Sequence, residues 1–314
     1  MLFSLSFSSQ VKDEISHLWA QRRCCRASEL SAIIRMDGNL HLLGSNRYAL
    51  HLSTENAACA RKSLRLLGDL YRLTGRVTIR RSKLSKANNY LVFVDWQTGL
   101  GQALNELGIL DDLLNLRQDV PKRLIRKNCC AVAYMRGLFL GGGFISNPKG
   151  QYHLELTTNN LELAQTAGSL LSRFGLSSKL MERRGHHFIY IKQAQTIVDF
   201  LATIGANAAL LQWEDIRILK GVRGNVNRLV NCDTANLNKV VKASLEQLSD
   251  IAKIDMGVGL NKLPQALKEI AEARIANPQA SVKELGEVCS PKLTKSATYH
   301  RVRRLREFAA KLAG

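Results

Sequence analysis

The chain is 314 residues long and carries 45 lysines and arginines against 26 aspartates and glutamates, a formal net charge of +19. That balance is the electrostatic footprint of a polyanion binder, and binding of that kind is steeply salt-dependent. No apolar run approaches the ~20 residues of a membrane span, and Met1 to Phe7 is too short for a signal sequence. Nucleotide-cradling fingerprints are also missing, because Gly141-Gly142-Gly143 lacks the lysine and helix that phosphate binding needs.

From residue 21 onward the chain reads as a degraded internal repeat. Cys24-Cys25, an apolar run and Asp37-Gly38 recur 105 positions later as Cys129-Cys130, an apolar run and Gly142-Gly143. Behind each, Tyr48-x-Leu50-x-Leu52-Ser53-Thr54-x-Asn56 matches Tyr152-x-Leu154-x-Leu156-Thr157-Thr158-x-Asn160. Two linked patterns at nearly one offset indicate duplication of a unit of about a hundred residues. Each copy predicts a short apolar helix, two strands, a longer helix, two strands and a closing helix. Alternation at Tyr48, Leu50, Leu52, at Val77, Ile79 and at Phe188, Tyr190 has the period of half-buried antiparallel strands. Leu64, Leu67, Leu70 and Leu163, Ala167, Leu170, Leu171, Phe174 have helical spacing.

This order of elements, with a small-residue helix ending in Asp-Gly, resembles the LAGLIDADG homing endonuclease fold over about residues 20 to 205. Residues 30 to 38 match its motif at Leu30, Ile34, Asp37 and Gly38; residues 135 to 143 match at Gly137, Leu138 and Gly143. The resemblance implies two packed motif helices, each presenting an acid to divalent metal below a DNA-facing sheet. Hard cations need oxygen ligands from both sides, and two-metal cleavage needs them close together. Here the equivalent of Asp37 is Gly142, and no Asp or Glu occurs from Val120 through Leu154. Asp37 and Gly142 are therefore read as a vestigial nuclease position with no catalytic residue, metal or cofactor, and Asp37 as a turn or N-cap residue beside Gly38.

The stretch from Ala208 to about Leu260 predicts two helices, near Leu210 to Leu229 and Thr234 to Leu248. Asn225, Asn227, Asn231, Asn236 and Asn238 are dense for helix interiors; they either dock the linker onto backbone groups, the preferred reading, or touch phosphate. Beyond it, Leu263 to Asn277 has helical periodicity (Leu263, Leu267, Ile270, Ala271, Ile275) and stops at Asn277-Pro278. Ser281-Val-Lys-Glu284 is a capping box, Ser290-Pro291 a break, and Thr294 the cap of a last helix with stripe Val302, Leu305, Phe308, Ala309, Leu312. A short helix, a turn and a helix with a basic N-terminal end form a helix-turn-helix, whose second helix enters the major groove. The DNA-contact set is Ser281, Lys295, Ser296, Thr298, Tyr299, His300, Arg301, Arg303 and Arg304, with Arg301 singled out as a base reader. The competing reading is a three-helix protein-binding module with a solvated basic face.

Taken whole, the chain resembles the sporulation regulator WhiA family. The match rests on Phe7-Ser8-Ser9-Gln10-Val11-Lys12 with Glu14, Cys24-Cys25-Arg26, Tyr134-x-Arg136-Gly137-x-Phe139, the Arg223 to Lys239 stretch, Thr294-Lys295-Ser296 and His300-Arg301. The resemblance implies a bacterial DNA-binding regulator linked to cell division and chromosome segregation, and in some relatives to sporulation genes. The expected fold class is α+β: a tandem αββαββα pseudo-symmetric domain followed by an all-α helix-turn-helix domain. Its expected parts are an N-terminal segment (1–20), two repeats (21–112 and 113–206), a helical linker (207–261) and the helix-turn-helix (262–314).

Basic residues are spread beyond the tail. Arg72, Arg76, Arg80, Arg81, Lys83 and Lys86 lie in a stretch without acids, and alternation puts Arg76, Thr78 and Arg80 on one face opposite Val77 and Ile79. Arg76, Arg80, Arg223 and Arg228 are accordingly possible DNA-facing residues, the competing reading being a merely solvated surface. The seven cysteines include no C-x-x-C pair and point to a reducing cytosol. On apolar helices they are expected to be small buried hydrophobes, with zinc not expected. The expected partners are double-stranded DNA and a protein or small effector on the repeat domain, with no membrane, in a cytoplasmic, nucleoid-associated protein. An active metal-dependent endonuclease is the enzymatic alternative.

Overall fold

The computed structural model describes residues 6–44, 47–81 and 88–312. Lys83 and Lys86 of the basic stretch, and the extension before Ser6, lie outside the described residues. The chain divides into two compact units, Met1–Lys220 and Gly221–Gly314.

The first unit opens with α1 (Phe7–His17), capped where Ser6 Oγ accepts the Ser9 amide at 3.1 Å, with Phe7, Val11 and Ile15 forming its buried stripe. The first repeat follows as α2 (Arg23–Asp37), β1 (Gly38–Leu42), β2 (Tyr48–Thr54), α3 (Ala57–Tyr71), β3 (Arg76–Arg81), β4 (Asn88–Val94) and α4 (Leu100–Glu106). After the short α5 (Lys122–Ile125), the second runs α6 (Asn128–Gly142), β5 (Gly143–Ile145), β6 (Leu154–Thr158), α7 (Leu161–Arg173), β7 (Lys179–Arg183), β8 (His186–Ile191) and α8 (Ala194–Ile204). Both sheets are antiparallel, in the matching orders β1-β2-β4-β3 and β5-β6-β8-β7.

The repeated Thr-x-Asn signature builds the same corner twice. Asn56 Oδ1 accepts the Ala58 and Cys59 amides at 2.8 and 3.1 Å, and Asn160 Oδ1 accepts that of Leu163 at 2.9 Å. Thr54 and Thr158 hydroxyls each take the Asn amide two residues on. Each corner satisfies helix-end donors that have no intrahelical partner.

The motif helices α2 and α6 pack closely because Gly137 has no side chain: a Cβ there would lie 2.3 Å from Glu29 O. Leu30, Ile33, Tyr134, Phe139, Leu50, Leu52, Leu154 and Leu156 fill the core around them. Fully burying each large apolar side chain contributes roughly 1.5–3 kcal/mol.

Two strand readings change. In β8 the residues facing the core are Ile189 and Ile191, with Phe188 and Tyr190 on the outer face. That strand is apolar on both parities, so a period of two cannot choose between them. In β3, Val77 and Ile79 are 40% and 61% exposed, because β3 is an edge strand.

A single helix, α9 (Asn207–Gly257), replaces the two expected in the linker. The segment holds no proline, and each Asn costs only tenths of a kcal/mol against a full ladder of helical hydrogen bonds. Its start is fixed by Glu14, whose carboxylate accepts the Ala208 and Ala209 amides at 2.7 and 2.9 Å, and by Trp213, fully buried 5.6 Å from the Phe7 ring. The five linker asparagines are exposed, so the docking reading does not hold.

In the second unit, α10 (Gln265–Ala276), α11 (Val282–Val288) and α12 (Lys295–Leu312) follow α9. Ile251, Ile254, Leu267, Ile270, Leu285 and Leu305 form its core. Ile275 and Leu312, expected in the buried stripes, are 48% and 41% exposed at helix ends. Among the described residues no helix is long and apolar enough to cross a membrane.

Candidate nucleic-acid interface

The second unit positions α12 by three local devices. The expected capping box is present at the start of α11: Ser281 Oγ accepts the Glu284 amide while Glu284 returns to the Ser281 amide at 2.7 Å. Gly286 lets α11 approach α12, since a Cβ there would lie 2.4 Å from Thr298 Oγ1 and 2.6 Å from Leu293 O. Thr294 Oγ1 then accepts the Ala297 amide at 3.3 Å and starts α12.

Along α12, Thr298, Leu305 and Ala309 are buried. Away from that stripe the helix exposes Ser296, Tyr299, His300, Arg303 and Arg304, with Lys295 and Arg306 exposed at its flank. No acid occurs before Glu307, which pairs with Arg303 at 2.9 Å. A helix with this exposed face can set cations and hydroxyls against phosphate and base edges.

Three expected contacts are committed elsewhere. Thr298 is fully buried and donates its hydroxyl to Thr294 O at 3.0 Å. Arg301 pairs with Glu269 at 3.2 Å and donates to Ala266 O, tying α12 to α10, so its guanidinium serves the fold before any base. Ser281 spends its hydroxyl on the cap. Lys292 is also exposed, in the turn before α12 and outside the helical pattern.

In α9, Arg223 and Arg228 are exposed, and Arg228 donates to Asn225 Oδ1 one turn away. Back in the first unit, register places Arg76, Thr78 and Arg80 on the sheet face that also carries His51 and Phe93. Arg76 lies over the Phe93 ring at 5.2 Å and 3.6 Å from Asp95, while Arg80 is exposed.

At the C-terminal ends of the motif helices, a cavity of about 1100 Å³ is lined by Asp37, Lys12, Ser9, Asn56, Gly142 and Thr157, among others. Asp37 is the last residue of α2, neither a turn nor an N-cap residue. Burial pushes its carboxyl up to about 7, against the opposing pull of Lys12. Lys12 Nζ, brought in by α1, donates to Gly141 O at 3.4 Å. Lys12 and Asp37 thus line one cavity, close enough for the ammonium to act on the carboxyl. Gly142 leaves little room for a side chain there: a Cβ would meet Met36 Cε at 2.2 Å and Thr157 O at 2.6 Å. Sequence reasoning missed Lys12 because its role depends on where α1 docks.

Arg35 was missed too: it donates to Gly108 O, Arg117 O, Gln118 O and Asp119 O and pins the segment that joins the repeats.

Two αββαββα repeats with a degenerate motif pair, followed by a helix-turn-helix, define a LAGLIDADG-like scaffold of the DNA-binding regulator class. Family models match in chain order: the WhiA N-terminal LAGLIDADG-like domain at residues 23–110, the WhiA LAGLIDADG-like domain at 131–223 and the WhiA C-terminal HTH domain at 226–309. A probable cell division protein WhiA from Desulfitobacterium hafniense is 44% identical over 98% of this chain and 96% of its own length. Its counterpart in Heliobacterium modesticaldum is 42% identical over 97% and 96%. The chain belongs to the WhiA family. The crystal structure of full-length WhiA from Thermatoga maritima, 25% identical, superposes over 98% of this chain and 99% of its own with a TM-score of 0.61.

Proposed function

We propose that this chain regulates cell-division genes by binding double-stranded DNA through α12, without cleaving it. The observation that carries the reading is the α12 face itself, where Lys295, Ser296, Tyr299, His300 and Arg303 are exposed together and the first acid of the helix is Glu307, paired with Arg303. The relatives' name supports cell division as the process, and the family resemblance supports segregation and sporulation-gene control in some lineages. The working parts we assign are the repeats at 21–112 and 113–206, the linker at 207–261 and the DNA-binding module at 262–314. A cytoplasmic, nucleoid-bound location accords with the +19 charge.

The absence of cleavage is supported by the Asp37, Gly142 and Lys12 geometry. One carboxyl half-protonated near neutral pH, facing an ammonium, is a poor cradle for a hard divalent ion.

A second reading has its own observation. Arg76, Thr78 and Arg80 share a solvent-facing sheet surface with His51 and Phe93, suited to added phosphate contacts or to an acidic protein partner.

The test is binding of the full-length chain to a genomic fragment library at several salt concentrations with magnesium present, followed by inspection for strand breaks. Enriched, intact sites support the proposal. Cut DNA overturns the non-nuclease reading, and intact DNA without enrichment overturns sequence-selective regulation.

A further inference from the structure

The ends of α2 and α6 opposite Asp37 and Gly142 hold the strongest unassigned chemistry. Cys24 and Cys25 lie in the first turn of α2, Cys129 and Cys130 in the first turn of α6. Cys25 Sγ is 3.9 Å from Cys130 Sγ, and the sulfurs of Cys24, Cys25 and Cys130 all lie within 4.8 Å of one another. Cys129, the counterpart of Cys24 in the second repeat, lies outside that group of three and accepts a contact from the Arg22 guanidinium at 3.6 Å, so as a fourth ligand it has to turn inward. All four cysteines are free.

We propose that these four thiols form a binding site for one tetrahedral zinc ion that clamps the two repeats together. Tetrahedral zinc–thiolate bonds of about 2.3 Å place sulfurs about 3.8 Å apart along each edge of the tetrahedron. The 3.9 Å between Cys25 and Cys130 is that edge; a disulfide needs about 2.05 Å.

The electrostatics suit a zinc tetrathiolate, whose net charge is −2. Two helix N-termini converge on it, each equivalent to about half a positive charge, and Arg22 supplies a full one. Neither helix start is closed by a side chain, since Arg22 and Lys127 at the cap positions make no capping hydrogen bond. Cys25 and Cys130 are 5% and 2% exposed, so the inner half of the site is dry, while Cys24 faces solvent and offers a route for the ion.

With Cys24, Cys25 and Cys130 already grouped, Cys129 as the fourth ligand closes the coordination shell and makes the site structural rather than catalytic. Binding displaces thiol protons to solvent, so affinity falls as pH falls.

The test uses the full-length chain, purified anaerobically under reducing conditions and titrated with Co2+ and then Zn2+. The expected result is a sulfur-to-cobalt charge-transfer absorption with the visible bands of a tetrahedral ion, saturating at one equivalent and bleached by zinc. Cys24→Ser, at the solvent edge, is expected to weaken zinc binding about tenfold or more with unchanged circular dichroism. The Cys25→Ser/Cys130→Ser double variant is expected to lose the absorption. A reduced wild-type chain with no tetrahedral cobalt spectrum overturns the site, and needs no variant to fold. So does a spectrum that survives the double variant, which places the metal elsewhere. A wild-type chain that takes no zinc but forms a Cys25–Cys130 cross-link on mild oxidation also overturns it, leaving a redox pair.

Discussion

The Lys62 ammonium lies 2.5 Å from the Glu29 carboxylate with both side chains at most 2% exposed. Glu29 is on α2 and Lys62 on α3; Arg136 of α6 approaches the second Glu29 oxygen at 3.7 Å. Lys62 also donates to Ile15 O and Leu18 O, and Arg136 to Ile204 O, so the cluster gathers α1, α2, α3, α6 and α8. Burial drives Glu29 up and Lys62 down, each opposed by the other's charge. Removing one partner strands a charge. Lys62→Met is expected to destabilise the first unit by about 3–5 kcal/mol, and the triple variant Glu29→Leu/Lys62→Met/Arg136→Met, which strands no charge, by far less. Urea midpoints of the two variants check this, and equal losses would contradict it.

Gly286 sets the spacing of the helix-turn-helix. A methyl group at this position would come closer than 3 Å to both Thr298 Oγ1 and Leu293 O, so Gly286→Ala must push α11 from α12. A loss of about 1–3 kcal/mol in the second unit is expected. Faster limited proteolysis of the tail, together with weaker DNA binding, is the readout; wild-type protease resistance would contradict the packing.

The α12 residues divide by role. Lys295→Ala is expected to weaken binding about equally across sequences and to lower the salt slope by about one, as befits a phosphate contact. Arg303→Ala should act on the same face. Arg301→Ala, by contrast, breaks the Glu269 pair and is expected to reduce tail stability first, so its effect on affinity should shrink on cooling. Anisotropy titrations at several salt concentrations separate these outcomes.

Asp37 makes stability depend on pH. Its carboxyl is raised from 3.8 to about 7, so between those values the folded chain holds a proton that the unfolded chain has lost. The stabilisation is complete below pH 3.8 and fades as pH rises to about 7, by no more than about 4 kcal/mol. Asp37→Asn removes this dependence and is expected to be the more stable form at pH 8. Parallel pH profiles for the two chains would contradict the assignment.

Much of the fold was legible because its signals are local. The Ser281 capping box and the helical stripe of α7 each depend on residues close to one another along one element. The α12 face was legible for the same reason. Where the sequence misled, the deciding partner was distant or the pattern ambiguous. Thr298 and Arg301 have the composition of DNA contacts, but Gly286 and Glu269 draw them inward. Phe188 and Tyr190 alternate as well as Ile189 and Ile191 do, and only the pairing with β6 and β7 says which pair faces the core.

The sequence alone determined that two repeats and a basic terminal module make up this chain, because duplication, periodicity and caps are written in short windows. Tertiary structure alone decided that Lys12 comes near Asp37 and that Lys62 and Arg136 meet at Glu29, and it brought Cys25 and Cys130, one repeat apart, within 4 Å. The reason is physical: charge pairing and side-chain contact act over a few ångströms of space, and for partners on different elements, such as Lys12 and Asp37, no short window of sequence records them.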